Sequence, residues 1–100
     1  MHIISKRRLR EFWENHASAK KPLEAWYTHV KHVQWQNPRE LKEDFPLADQ
    51  VQRLTIFNIG GNNYRLIVRI EYELQKVYIR SILTHAEYNS DRWKNDPWYN

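Results

Sequence analysis

Leu9, Phe12, Trp13 and His16 recur at i, i+3, i+4 and i+7, the spacing that gathers side chains on one face of a helix. The stretch from Lys6 onward therefore predicts an amphipathic helix, with Ser5 as its N-cap and a short strand over His2 to Ile4 before it. Pro22 fits the first turn of a second helix, whose apolar face runs through Leu23, Trp26, Tyr27, Val30 and Val33. Two consecutive amphipathic helices can bury both stripes only by packing on each other and on a sheet. Asn37-Pro38-Arg39-Glu40 reads as a cap, a proline at the first helical position and a glutamate at the third. The helix it opens is short, because Pro46 stops it, and Leu47 to Gln52 reads as a loop.

Beyond Arg53 the period changes to two. Thr55 to Ile59 is strand-like, and Gly60-Gly61-Asn62-Asn63 is a turn signal, since glycine and asparagine tolerate positive φ. Tyr64, Leu66, Val68, Ile70 and Tyr72 then share one strand face, while Arg65, Ile67, Arg69 and Glu71 point the other way. A turn over Glu73 to Gln75 leads into a further antiparallel strand from Val77 to Thr84. The order β-α-α-β-β-β predicts an α+β domain: a small antiparallel sheet with two N-terminal helices packed on one face. Residues 1–89 carry that pattern, and residues 90–100 are expected as a short C-terminal helix or loose tail, with Trp93 and Trp98 available to dock.

One hundred residues make one domain, and 41% apolar residues with five tryptophans suffice for a core. With no cysteine, disulfides and thiolate zinc sites are out of reach, which fits a reducing cytoplasm. No apolar run is long enough for a membrane span or a secretory leader, so no membrane association is expected. The net charge of +4 is concentrated: Lys6, Arg7, Arg8 and Arg10 precede the first acid, Glu11. Such a cluster suits a polyanion or an acidic protein, and equally the solvated face of a first helix.

The second face of the sheet offers chemistry. Arg65 and Arg69 are expected there as exposed groups, joined by Arg80 from the next strand, with Tyr78, Arg80 and Thr84 sharing parity. His85 and Tyr88 follow where that strand ends. Guanidiniums bind phosphate oxygens bidentately and stabilise a pentavalent transition state, and histidine titrates near neutrality. Such a group suits RNA, whose 2′-hydroxyl is an internal nucleophile needing only positioning, proton transfer and charge stabilisation. Each residue also has an ordinary role: an exposed strand arginine can pair with Glu71 or Glu73, His85 can cap, and Tyr88 can pack. His29 and His32 stand three apart on a helix but lack a third ligand, so no metal site is expected. Trp13, Trp26 and Trp35 belong in the core.

Phe57-Asn58-Ile59-Gly60-Gly61-Asn62, Arg65, Gln75-Lys76-Val77-Tyr78-Ile79-Arg80 and Thr84-His85-Ala86-Glu87-Tyr88 resemble the HigB family of bacterial toxins, within the RelE-like superfamily. The start is similar too, in Ile3-Ile4-Ser5, Leu9-Arg10-Glu11-Phe12-Trp13, Pro22-Leu23 and Ala25-Trp26-Tyr27, so only the last eleven residues fall outside. The resemblance implies an mRNA interferase that cleaves messenger RNA on the ribosome. It implies as partner a helix-turn-helix antitoxin of the HigA type, with operator DNA contacted only through that antitoxin, and no cofactor. It points to Arg65, His85 and Tyr88 as catalytic residues. Arg80, Arg69, Asn62, Lys6, Arg7 and Arg10 are the expected RNA or phosphate contacts. In one departure, the strand before the hairpin carries no lysine and only Arg53 lies nearby, so proton transfer shifts to His85 or catalysis rests on alignment by the ribosome. The alternative is a non-catalytic module that grips RNA or a ribosomal surface; a protein-interaction adaptor explains the arginine–histidine–tyrosine grouping least well.

Overall fold

A computed structural model describes residues 1–100. The chain runs β1 (His2–Ile4), α1 (Lys6–Asn15), α2 (Lys20–Lys31), α3 (Pro38–Asp44), β2 (Asp49–Val51), β3 (Leu54–Ile59), β4 (Tyr64–Glu71), β5 (Lys76–Thr84) and α4 (His85–Asn89). The five strands form one sheet in the order β1-β5-β4-β3-β2. The expected α+β architecture is present, with α1 and α2 on one face. Leu9, Leu23, Trp26 and Val30 pack there against Phe57, Leu66, Val68 and Val77. Phe57 is the hub, edge-on to Trp26 at 5.4 Å and to Phe45 at 5.0 Å. The expected cap at Asn37 is made: its side chain accepts the Glu40 N–H at 3.0 Å.

The sheet differs from expectation in two places. It is mixed rather than antiparallel, because β1 pairs parallel to β5, with Ile3 opposite Val77. And the presumed loop after Pro46 contains β2, which pairs antiparallel to β3 through Asp49–Ile56 and Val51–Leu54. A three-residue edge strand, Asp49-Gln50-Val51, in which only Val51 is partly buried, is too short to show an alternation. Since β1 reaches β5 only at Lys76 to Tyr78, the next carbonyls would be bare. Arg8 of α1 supplies the donors, to Ile79 O at 2.8 Å and Arg80 O at 3.1 Å. One of the four clustered cations is therefore structural.

The second face of the sheet is not open. Ile67 is fully buried there with Leu54, Ile56 and Trp93, ringed by Val51, Leu83, Tyr88 and Tyr99. The chain after Asn89 makes this cover: Asp91 turns it at φ 62°, and Arg92–Asn95 form one 3-10 turn that drops Trp93 onto the sheet. Tyr99 O accepts the Arg53 N–H at 3.1 Å. Asp96 takes both Nε and Nη2 of Arg80 at 2.8 Å, and Trp98 lies under the same guanidinium at 4.1 Å.

Arg80 shares the parity of Tyr78 and so faces the tail, and it stands at a bulge in β5. Ile67 faces Ser81 while Val68 faces Ile79, so Arg80 is the extra residue. Beyond it parity inverts, and Thr84, expected beside Arg80, instead stands opposite Tyr64.

The Arg80 hydrogen bonds hold the Asp96 carboxyl below its ordinary value of 3.8. A depressed folded value means the pair stabilises fully above that pH and its contribution is lost as pH falls through the folded value. Asp96→Asn is expected to lower the melting temperature by a few degrees at pH 7, with the gap to the parent narrowing as pH falls through the depressed value of the Asp96 carboxyl. Thermal melts from pH 2.5 to 7 check this.

Candidate active site

The hairpin joining β3 to β4 and the junction of β5 with α4 meet at one end of the sheet. Gly60 and Gly61 take φ 62° and 66°, which brings Asn62 and Asn63 back over the start of β4. At the other side Thr84 starts α4 with a reciprocal cap: its hydroxyl accepts the Glu87 N–H at 3.2 Å, and the Glu87 carboxylate accepts the Thr84 N–H at 2.9 Å. Asn63 O accepts the His85 N–H at 3.1 Å and ties the two segments together.

Arg65 lies between them. It is 8% exposed, whereas a solvated strand face was expected, because the hairpin turn and α4 fold over it. Nη1 donates to Asn62 O and Tyr64 O, each at 3.1 Å, and Nη2 donates to the Asn62 side-chain carbonyl. Nη2 also reaches His85 Nδ1 at 3.4 Å. A guanidinium can only donate, so Nδ1 is the acceptor in that contact; being long, it yields easily to a better acceptor. The Tyr88 ring centroid is 5.3 Å from the guanidinium carbon. No carboxylate pairs with Arg65. Its charge is held by carbonyl oxygens, an imidazole and a π-face, all neutral or only partly negative.

The other candidate cations do not join it. Arg69 faces Tyr78 across the ladder and pairs with Glu71 at 3.2 Å, the ordinary role weighed for it. Arg80 is neutralised by Asp96, which holds its guanidinium firmly protonated through two hydrogen bonds. Arg65 pairs with Leu83 in the ladder, three residues past the bulge. On α1, Arg7 pairs with Glu11 at 2.7 Å, Lys6 lies over the Tyr27 ring at 4.9 Å, and Arg10 is exposed. Asn62 is at the site, but as an acceptor for Arg65. His29 is engaged by Asp44 at 2.7 Å, which also accepts the Trp35 indole N–H, and no three His, Asp or Glu residues cluster as a metal-holding set.

Three contributors escaped sequence reasoning. The Thr84-x-x-Glu87 capping box has a recognisable pattern and could have been found. Asn63 acts through its backbone, which no side-chain pattern reports. Trp93 was available to dock, but the place where it docks, stacked on Tyr88 at 5.3 Å, carries no sequence signal.

A family model described as HigB toxin, the RelE-like toxic component of a toxin-antitoxin system, matches residues 19–91. The mRNA interferase toxin HigB of Escherichia coli K12 is 34% identical over 92 residues, which cover 89% of this chain and 88% of that protein. The mRNA interferase HigB of Escherichia coli O6:H1 is 29% identical over 89% of each chain. The family match contains Arg65, His85 and Tyr88, and it ends before Trp93. With its five-stranded α+β fold and this match over most of its length, the chain belongs to the HigB family of RelE-like toxins of toxin–antitoxin systems.

Proposed function

We propose that this toxin is an mRNA interferase: an endoribonuclease that cleaves messenger RNA on the ribosome, without a metal ion, by attack of the 2′-hydroxyl. The observation that carries the reading is Arg65, a cation more than nine-tenths buried with no carboxylate beside it. Buried charges are normally paired, and a cation held by neutral groups is primed for an anion. A phosphodiester fits, because two of its oxygens match the guanidinium fork.

In the proposed mechanism, the scissile phosphate displaces the weak His85 contact and takes Nη2 of Arg65. The 2′-oxygen attacks phosphorus and the bond to the 5′-oxygen breaks, giving a 2′,3′-cyclic phosphate and a 5′-hydroxyl. Arg65 neutralises the charge that develops on the equatorial oxygens. His85, exposed at the first position of α4, exchanges a proton with the attacking or departing oxygen. Tyr88 holds the guanidinium from its π-face and offers its hydroxyl to the substrate. Arg10, exposed on α1, is left to contact ribosomal or messenger phosphates. Action on translated message places the protein in the cytoplasm. Its restraining partner is a helix-turn-helix antitoxin of the HigA type, which alone touches operator DNA.

One observation favours the non-catalytic alternative: Arg69 and Arg80 are both neutralised, which leaves a single free guanidinium at the site. End-mapping on translating ribosomes separates the readings, since a binding module makes no new 5′ ends.

Expression of the toxin without its antitoxin should arrest growth. Arg65→Ala should relieve the arrest and cut ribosomal cleavage by about 10²- to 10³-fold, and His85→Ala by about 10²-fold or more. If both variants arrest growth like the parent, the site is misplaced. A second expectation concerns the bond chemistry. A 2′-deoxy nucleotide at the cleaved position should block the reaction, and the products of normal message should carry 5′-hydroxyl ends; 5′-phosphate ends would rule out the 2′-hydroxyl route.

A further inference from the structure

Tyr88 has two aromatic or cationic neighbours, and only one of them lies within the family match. The Arg65 guanidinium is 5.3 Å from the ring centroid, and Trp93 stacks on the same ring at 5.3 Å with the planes 10° apart. The Trp93 indole N–H also donates to the Tyr88 carbonyl at 3.1 Å, so both the ring and the backbone of Tyr88 are held. Trp93 itself is 7% exposed, wedged among Leu54, Ile56 and Ile67. The flanking tail keeps it in place through Asp96 on Arg80, the Tyr99 carbonyl on Arg53, and the Tyr99 ring at 5.8 Å.

Tyr88 needs this support. The helix that carries it has five residues, far short of what is stable alone, and its first turn is fixed by the Thr84 cap while Tyr88 lies past that turn. Without a surface to stack on, the Tyr88 ring could rotate away from Arg65, and the guanidinium would lose its one aromatic contact. We infer that Trp93 is a positioning residue of the active site, which fixes the Tyr88 ring on which Arg65 rests and makes the segment Arg92–Tyr99 a working part of the enzyme. This rests on the nuclease reading, and it extends the site beyond residue 91, where the family match stops.

The test uses the full-length toxin with Trp93→Leu, which keeps apolar volume but removes the flat face, and Trp93→Phe, which keeps a stacking face but removes the indole N–H. Two quantities are read: the rate of cleavage on translating ribosomes against toxin concentration, and the ¹H–¹⁵N resonance of the Arg65 side-chain Nε–H in labelled protein. Trp93→Leu should lower the saturated rate on the order of tenfold with little change in the half-saturating concentration, and should shift the Arg65 resonance. Trp93→Phe should restore most of the rate and leave that resonance in place. A leucine variant with parental rate and an unmoved resonance overturns the inference, as does one whose only defect is a raised half-saturating concentration. Should leucine prevent folding, the phenylalanine variant decides: a displaced Arg65 resonance refutes the stacking role. If the parent protein makes no new ends on ribosomes, the nuclease reading has failed, and the Arg65 resonance still judges the positioning role.

Discussion

A guanidinium more than nine-tenths buried without a counter-charge is the constraint on which the end of this sheet is built. Isolating an ion costs on the order of several kcal/mol even after relaxation, and a carboxylate would be the ordinary remedy. Arg80 takes that remedy from Asp96 and Arg69 takes it from Glu71. Arg65 instead receives the carbonyls of Asn62 and Tyr64, the Asn62 side chain and the face of Tyr88. Each stabilises the cation in part and none cancels it. The glycine turn, the Thr84 cap and the Asn63–His85 backbone bond all hold these partners in place. In the proposed mechanism, the scissile phosphate completes the pairing that the chain withholds.

The same comparison explains why three arginines of similar appearance in the sequence have separate fates. Arg69 sits mid-strand, two residues from Glu71 on the same face. Arg80 occupies the bulge and meets the tail. Arg65 opens β4 directly after the turn, where the backbone doubles back and offers its carbonyls. Position in the ladder, rather than residue type, sorts the paired charges from the unpaired one.

Much of this was legible in the residues. The helical spacing of Leu9 to His16, the Asn37 cap, the change of period after Arg53 and the Gly-Gly-Asn-Asn turn are local signals, and each produced the element it predicts. Arg65, His85 and Tyr88 were legible as a group, since the turn and the strand length set them at one end of the sheet. What stayed hidden depends on distant contacts. The β1–β5 pairing is parallel because of how α1 and α2 return the chain, which Ile3 and Val77 cannot announce alone. The bulge at Arg80 inverts a parity that simple alternation carries through to Thr84. The tail was expected as a short helix or loose stretch with Trp93 and Trp98 available to dock, and it does form a short helix that docks Trp93. What stayed hidden is that it covers the face where open arginines were expected, with Ile67 buried beneath it.

The most direct test is a structure of the toxin on a translating ribosome whose message carries a 2′-methoxy group at the cleavage position, which halts the reaction before bond breakage. Arg65 should have released His85 and lie within hydrogen-bond distance of the scissile phosphate, with His85 beside the reacting oxygens and Tyr88 still against the guanidinium. An Arg65 that remains closed on Asn62 and Tyr64, with the phosphate held elsewhere by α1 or by ribosomal RNA alone, would contradict the role given to that buried charge.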